Sequence, residues 1–364
     1  METATGLRDA VVGYGDGPPV LTGITLLAAP GEVLAVVGPS GAGKTTALRA
    51  VAGLERVRAG RVLVGGRDVT RVPTPERGVA MVFQRAALAP FLDVAGNLAW
   101  AEGFGTATAP PAARERRRDR LRLRHLLRRM PENLSTGEAS RAGIGRALER
   151  VPAAFLLDEP LAHLDEGERA RVRRTLVAAV RAAGAPALWV GHDPAEAMLV
   201  GDRVAVLHGG RVAQVGPPRE VYDRPRDLLV AELLGDPPLG VLPARAVEGG
   251  YAVGPRVLPL WGPLPPGVEP GRAVQLGLRA EDVGPAGDPA AVALSAVVVA
   301  AEPAGRRTTV TVELVLPGGA DGTRLVARLP GPARIGDRVE LGVDARRAHV
   351  FDATGAALAH PHQM

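Results

Sequence analysis

The chain contains a single lysine, Lys44, in the segment Gly-Pro-Ser-Gly-Ala-Gly-Lys-Thr at residues 38–45. This segment matches the pattern of a phosphate-binding loop, whose glycines let successive backbone N–H groups point at phosphate oxygens. A helix that starts near Thr45 adds its positive dipole end. We expect Lys44 to contact the β- and γ-phosphates of a nucleotide, and the Thr45 hydroxyl to bind Mg²⁺. The residues predicted to surround the phosphates are Gly38, Ser40, Gly41, Gly43, Lys44, Thr45 and Thr46.

Two adjacent carboxylates, Asp158 and Glu159, follow the apolar residues 155–157 and precede Pro160. Phosphoryl transfer depends on positioning and charge neutralisation more than on covalent chemistry. Neighbouring side chains at the end of a strand point in different directions, so one carboxylate can serve a metal ion while the other serves the attacking water. In isolation an Asp-Glu-Pro tripeptide is more often a plain strand-end turn.

Short, nearly continuous apolar runs at residues 32–37, 79–83, 153–157 and 187–190 predict strands that are buried on both faces. Residues 45–52 suit a helix that ends at Gly53. Residues 203–207 and 211–215, separated by His-Gly-Gly, predict a hairpin. We therefore expect an α/β fold whose strands position the phosphate-binding loop and the carboxylates.

Composition narrows the possible classes of protein. The 364 residues include no cysteine, which excludes disulfides, Cys-bound zinc and thiol nucleophiles. A GTPase needs an Asn-Lys-x-Asp motif, which a chain with one lysine cannot supply. No apolar run is long enough to span a membrane, and the first ten residues do not resemble a signal peptide. His125, His163 and His208 are interpreted as loop or surface residues, and we expect no metal site built by the protein alone.

Residues 114–129 hold nine arginines, and Leu123, Leu126, Leu127 and Met130 keep a helical spacing. This pattern predicts one amphipathic helix. Its basic face is interpreted as solvated, with docking on a partner or on anionic lipid as the alternative.

The pattern changes at residues 235–240, which are rich in Gly and Pro. Beyond them Val310, Val312 and Leu314 alternate with Thr309, Thr311 and Glu313, and residues 339–343 alternate in the same way. Short alternating segments between turns predict a small all-β barrel or sandwich.

Taken in order, these motifs, together with Leu-Ser-Thr-Gly-Glu at residues 134–138 and Leu-Ala-His-Leu-Asp at 161–165, resemble the nucleotide-binding subunit of an ATP-binding cassette (ABC) transporter. The resemblance covers residues 8–235. It implies that Tyr14 stacks on adenine, with a half-buried core tyrosine as the alternative. At the chain's own nucleotide it implies Mg²⁺ sensing by the lid residue Gln84, Mg²⁺ binding by Asp158, water polarisation by Glu159 and γ-phosphate contact by His192. It also implies that Asp165 couples the two sites. Ser135 and Gly137 would contact the γ-phosphate bound by the opposite subunit.

The resemblance also implies a domain organisation. Residues 1–235 would form an α/β P-loop ATPase domain with a mixed-sheet core and a helical subdomain at about 88–140. Residues 236–364 would form a small all-β domain like the oligomer-binding fold, because residues 277–282 and 336–352 are similar to the TOBE domain of importer ATPases. This second domain is expected to be regulatory, with a purely dimerising role as the alternative.

The resemblance implies an importer ATPase that uses ATP and Mg²⁺. One chain carries one phosphate-binding loop and one signature segment, Leu-Ser-Thr-Gly-Glu at residues 134–138, so complete sites require a homodimer or a paired cassette. The expected partners are integral membrane permease subunits, contacted through residues 84–100, and indirectly an extracytoplasmic solute-binding protein. No nucleic-acid partner is expected, and the location is the cytoplasmic face of the cell membrane.

Some residues depart from the family pattern. Thr136 and Glu138 replace the usual Gly and Gln of the signature segment, Ala162 and His163 replace a small polar pair, and Gly191 replaces a common Thr. We expect an active ATPase whose turnover these departures could slow. Two alternatives are a soluble ABC-type ATPase acting on nucleic acid and a weakly hydrolysing regulatory nucleotide-binding protein.

Overall fold

The computed structural model describes residues 3–102, 108–260, 262–286, 291–315 and 322–361. The chain folds into two compact units, Met1–Pro218 and Arg219–Met364. The segment 235–240 lies within the second unit.

The first unit contains ten strands and six helices among its described residues. The strands are β1 (Thr5–Val12), β2 (Leu21–Ala28), β3 (Val33–Val37), β4 (Val57–Val64), β5 (Arg67–Asp68), β6 (Val79–Val82), β7 (Ala154–Asp158), β8 (Ala187–Val190), β9 (Arg203–His208) and β10 (Arg211–Gly216). The helices are α1 (Lys44–Ala52), α2 (Val94–Glu102), α3 (Pro111–Arg120), α4 (Thr136–Leu148), α5 (Glu166–Ala183) and α6 (Pro194–Val200).

Six strands form a mixed sheet in the order β10-β9-β3-β8-β7-β6, parallel except for the β9–β10 hairpin. All residues of β3, β7 and β8 are buried, because helices and a second sheet cover their faces. The structure therefore confirms the predicted strands and the hairpin. The carboxyl ends of β3, β7 and β8 lie side by side at one edge.

The other sheet of the first unit is antiparallel, in the order β2-β1-β4-β5. Helix α1 contacts β1 and β4 of this sheet and β7 and β8 of the mixed sheet. It ends at Gly53, whose left-handed conformation (φ 83°) closes the helix as predicted. The helix that follows the phosphate-binding loop is thus held between two sheets.

The prediction of one amphipathic helix through the arginine-rich segment is wrong. Helix α3 ends at Arg120, and Arg122 adopts φ 52°, which cannot continue a right-handed helix. The buried leucines that follow it, Leu121, Leu123 and Leu126, lie in turns and a short 3₁₀ segment. Arg118 pairs with the buried Glu149 at 2.9 Å. Tertiary contacts therefore override the local helical spacing.

The second unit is mainly β-structure. It begins within α7 (Pro218–Asp223), which is followed by α8 (Leu228–Leu234). Its strands are β11 (Gly240–Val247), β12 (Gly250–Val253), β13 (Arg256–Pro259), β14 (Ala273–Leu278), β15 (Val283–Pro285), β16 (Val292–Ala304), β17 (Arg307–Leu314), β18 (Arg324–Pro330), β19 (Arg338–Val343), β20 (His349–Phe351) and β21 (Ala357–Ala359).

These strands form two antiparallel sheets, β13-β12-β11-β14-β20-β21 and β15-β19-β16-β17-β18. The end strands of the second sheet, β15 and β18, contact each other, so this sheet is nearly closed. Val310, Val312 and Leu314 of β17 are buried in the core that both sheets share. The alternation in the sequence correctly predicted an all-β barrel-like unit.

Candidate functional site

The loop at residues 38–43 connects β3 to α1 and requires glycine at two positions. Gly38 adopts φ 153°, and a Cβ atom there would lie 2.0 Å from the carbonyl oxygen of Leu207 on β9. Gly43 adopts φ 97°, and its Cβ would lie 2.4 Å from the Leu21 side chain. The neighbouring strands therefore allow the loop to take its curled path only without side chains at these positions.

Lys44 is the first residue of α1 and is only 8% exposed. Its Nζ atom donates to the carbonyl oxygens of Gly38 and Pro39 at 2.7 and 3.0 Å. Burial lowers the pKa of Lys44, while the charges of Glu159 and Asp158 act in the opposite direction. The ammonium group is thus held against the phosphate-binding loop.

Thr45 and Asp158 meet where α1 begins and β7 ends. The exposed Thr45 donates its hydroxyl hydrogen to Oδ1 of Asp158 at 3.0 Å. Asp158 is 4% exposed, and burial raises the pKa of its carboxyl group. A hydroxyl and a carboxylate are hard oxygen ligands, the type that Mg²⁺ prefers, so the residues present fit this ion.

Glu159 has other partners. Its Oε2 atom accepts a hydrogen bond from Nε2 of Gln84 at 2.9 Å and lies 3.5 Å from Nδ1 of His192. The backbone of Glu159 adopts φ 45°, a strained conformation for a non-glycine residue. Asp158 and Glu159 therefore turn in different directions, and the structure brings Gln84, Glu159 and His192 together.

Tyr14 lies between β1 and β2, and its ring is half exposed. Its hydroxyl forms a hydrogen bond of 2.9 Å with the Thr46 hydroxyl in α1. The structure thus joins Tyr14 to the helix that follows the phosphate-binding loop. Ser40 and Gly41, at the tip of that loop, are exposed.

Ser135 caps the amino terminus of α4. Its Oγ accepts from the backbone N–H of Glu138 at 3.3 Å, and the Glu138 carboxylate accepts from the N–H of Ser135 at 2.9 Å. This reciprocal pair is a capping box. The N–H of Ser135, together with the nearby charge of Arg129, holds the pKa of Glu138 low. The unusual Glu138 therefore has a structural partner within its own helix.

The signature segment contacts the loop that follows β7. A Cβ on Gly137 would lie 3.1 Å from the carbonyl oxygen of His163, so a side chain there would require a small shift of that loop. Asp165 caps α5, accepting from the N–H of Glu168 at 2.8 Å. Glu168 in turn pairs with the buried Arg141 of α4. Among the described residues, no hydrogen bond or ion pair joins residues 135–138 to residues 38–46 of the same chain.

Sequence reasoning missed Arg77, which supports α1 from its carboxyl end. This buried side chain donates from Nη1 to the carbonyl oxygens of Ala50 and Val51, both at 2.9 Å. Its partners lie 26 and 27 residues away in sequence, so no local signal could have revealed the contact. His125, His163 and His208 are exposed, as interpreted from the sequence.

A glycine-rich loop between a buried strand and a helix, with two carboxylates at the end of an adjacent strand, defines a P-loop nucleotide-binding protein. The ABC transporter family model matches residues 21–162, and the TOBE domain model matches residues 276–351.

Curated relatives resemble the chain over nearly its whole length. The sn-glycerol-3-phosphate import ATP-binding protein UgpC of Cereibacter sphaeroides is 40% identical over 97% of this chain and 99% of the relative. The maltose/maltodextrin import ATP-binding protein MalK of Salmonella typhimurium is 37% identical over 98% of both chains. A solved ATP-binding subunit of an ABC transporter matches 60% of the chain with 26% identity and a TM-score of 0.55.

The chain belongs to the ATP-binding subunits of ABC importers. It is an ATPase that supplies energy for transport. No helix in the described part of the chain combines the length and apolar character needed to cross a membrane. Importer subunits of this kind work with membrane permeases.

Proposed function

We propose that residues 38–46 bind the phosphates of ATP, with Lys44 at the β- and γ-phosphates, Ser40 and the glycines around them, and Thr46 near the α-phosphate. The proposal is supported by the curled loop at the carboxyl end of β3 and by the buried ammonium group beside it. Tyr14 stacks on the adenine ring, a role supported by its half-exposed ring and its hydrogen bond to Thr46.

Thr45, Asp158 and Gln84 would hold Mg²⁺. When bound, the ion would neutralise negative charge on the phosphate oxygens. Glu159 polarises the attacking water, and Gln84 and His192 fix the position of its carboxylate. This division of roles is supported by the hydrogen bonds that turn Asp158 toward Thr45 and Glu159 toward Gln84.

Two copies of this chain form the complete sites. Ser135 and Gly137 lie at the amino terminus of a 13-residue helix, which favours an anion such as the γ-phosphate held by the other copy. Asp165, beside the Gly137–His163 contact, couples the two sites. The second unit has a regulatory role in this dimer.

The membrane permease binds beside α2. The rings of Phe91 and Trp100 are exposed, with centroids 6.0 Å apart. A cavity of about 300 Å³ lies next to Trp100, lined partly by Val79, Ala80 and Met81. Exposed apolar groups beside a cavity are typical of an interaction site. We place the subunit at the cytoplasmic face of the membrane, acting indirectly with an extracytoplasmic solute-binding protein.

The observation that carries the catalytic proposal is the cluster of Gln84, Glu159 and His192 beside the phosphate-binding loop. It is tested with Glu159→Gln in the full chain. We expect ATP hydrolysis to fall by roughly a hundredfold or more, with ATP still bound and a dimer that persists in ATP. The matched control is Glu76→Gln, the same chemical change at an exposed position of the first unit. Unchanged ATP turnover in Glu159→Gln would contradict the catalytic role of Glu159 and favour a regulatory nucleotide-binding protein.

A further inference from the structure

The loop that carries Tyr14, residues 13–19 between β1 and β2, is rich in Gly and Pro, and its residues 14–19 are exposed. The N–H of Val20 donates to the carbonyl oxygen of Val12 at 2.8 Å and closes it. Gly15 adopts φ 48°, and the N–H of Gly17 donates to the carbonyl oxygen of Tyr14. A loop of this composition loses much conformational entropy when it is ordered, so fixing the Tyr14 ring requires contacts from elsewhere.

Arg58 provides such contacts from the neighbouring strand. It is the second residue of β4, whose first residue, Val57, pairs with Val12 at the end of β1. The Arg58 guanidinium donates from Nη1 to the Gly17 carbonyl oxygen at 2.8 Å. From Nη2 it donates to the carbonyl oxygens of Gly15 at 2.8 Å and Tyr14 at 3.3 Å. One planar group therefore joins three carbonyl groups of the same loop.

Gly13 leaves the space that this guanidinium occupies. A Cβ atom at Gly13 would lie 2.8 Å from Nη2 of Arg58 and 3.0 Å from Cα of Pro19. Since Cβ atoms do not normally approach other heavy atoms so closely, any larger residue would displace the guanidinium or the loop. The loop and β4 thus fit each other at two positions that are distant in sequence.

We propose that Arg58 is a positioning residue for the nucleotide, because it holds the loop at residues 13–19 so that the Tyr14 ring is presented to adenine. Arg58 acts through Tyr14 and does not itself touch the phosphates. The inference rests on the adenine-stacking role proposed above for Tyr14. A lysine could not replace Arg58 fully, because a single ammonium group lacks the planar fork that reaches three acceptors.

The test compares a ligand that contains adenine with one that contains only phosphates, ADP and inorganic pyrophosphate. Both are titrated calorimetrically into the full chain, and neither is turned over by an ATPase. For Arg58→Gln we expect the Kd for ADP to rise about tenfold, the size expected for several modest hydrogen bonds at an exposed loop. The Kd for pyrophosphate should stay within about twofold, because the phosphate-binding loop is untouched.

The matched control is Arg56→Gln. Arg56 is exposed, lies two residues before Arg58, and makes no hydrogen bond or ion pair within the described residues. Arg56→Gln should leave the Kd values for ADP and for pyrophosphate unchanged. Arg58→Lys should give a smaller loss of ADP affinity than Arg58→Gln. Gly13→Ala, which keeps Arg58 but crowds its guanidinium, should also weaken ADP binding and not pyrophosphate binding.

A double-mutant cycle separates positioning from a general effect on stability. In a Tyr14→Ala background, Arg58→Gln should change the Kd for ADP by less than about twofold, because no ring remains to be positioned. An unchanged Kd for ADP in Arg58→Gln, equal losses for both ligands, or a full effect in the Tyr14→Ala background would each overturn the proposal. If Tyr14→Ala alone leaves ADP binding unchanged, both the stacking role and this inference fail, whereas Glu159→Gln still decides the catalytic proposal.

Discussion

In the first unit, Lys44 and Asp158 are buried at the carboxyl ends of parallel strands. Thr45, which lies beside them, is exposed. In the second unit, the buried Arg279 and His349 interact with groups of the unit itself, and Nδ1 of His349 lies 3.2 Å from Nδ1 of His360. Arg279 donates to the carbonyl oxygens of Ala231 and Tyr222 at 2.7 and 3.1 Å and lies 4.0 Å from the centre of the Tyr222 ring.

This difference separates buried polar groups that can bind a ligand from buried polar groups that support the fold. Burying a charged group is costly unless it is paired or hydrogen-bonded. Arg279 meets this requirement with two carbonyl groups of the second unit. Lys44 also donates to carbonyl groups of its own unit, but Thr45 and Asp158 beside it provide a hydroxyl and a carboxylate at an edge where a nucleotide and Mg²⁺ would complete the pairing. Four predictions test this comparison, and the largest expected effect comes first.

Lys44→Arg should reduce ATP binding and hydrolysis by roughly a hundredfold or more, although it preserves the charge. The planar guanidinium is bulkier than the ammonium that donates to Gly38 and Pro39 within the closed loop. ATP binding and phosphate release measure the effect. Arg67→Lys, at an exposed position of β5, is the control and should be silent. Hydrolysis at the normal rate in Lys44→Arg would remove the basis for assigning ligand chemistry to this buried charge.

Arg279→Met should destabilise the second unit by about 2–4 kcal/mol, because one buried and one partly buried carbonyl acceptor lose their donor. ADP binding by the first unit should not change. Urea denaturation of the full chain, with Arg256→Met as the exposed control in the same unit, measures the loss. A cost below about 0.5 kcal/mol, or a loss of ADP binding without unfolding, would contradict a purely structural role.

The buried His349 should make the second unit sensitive to acid. Burial, together with the charges of Arg279 and His360, lowers the pKa of His349 to about 3. In the unfolded chain His349 is therefore protonated as the pH falls below about 6.5, whereas in the folded chain it is protonated only near pH 3. The contribution of His349 to the free energy of unfolding should be fully present above about pH 6.5. Below that pH the free energy of unfolding should fall by up to about 1.4 kcal/mol per pH unit.

His349→Gln should flatten this dependence, whereas His208→Gln, an exposed histidine of the first unit, should leave it in place. Urea midpoints at pH 7, 6 and 5 provide the measurement. The same acid response in wild type and His349→Gln would show that other groups cause it.

Ser135→Ala should cost about 1 kcal/mol of stability, because the capping box of α4 is lost. Ser140→Ala, within the same helix, is the control and should be neutral. Thermal denaturation, or hydrogen exchange at the first turn of α4, detects the difference. If Ser135→Ala were as stable as Ser140→Ala, the capping geometry would have no energetic role, and Ser135 would be important only for the ligand.

How far the sequence predicted the structure depended on the distance between interacting residues. The segment from β3 to α1 was predicted well, because strand, loop and helix are contiguous and each has a local signal. The helix through residues 114–130 was not, because Arg118 reaches Glu149, 31 residues away, and Arg122 reverses the backbone. The contacts of Arg58 and Arg77 were missed for the same reason.

The sequence by itself determined the chemistry available to this protein: one lysine within a glycine loop, two adjacent carboxylates after an apolar strand, and alternating strands toward the carboxyl terminus. Only the tertiary structure decided which groups meet. It brings Thr45 within hydrogen-bond distance of Asp158, Gln84 of Glu159, and Arg58 of the loop at residues 13–19. The physical reason is that periodicity and turn signals act over a few residues, whereas buried polar groups find partners wherever the packed sheets bring a donor within hydrogen-bond distance.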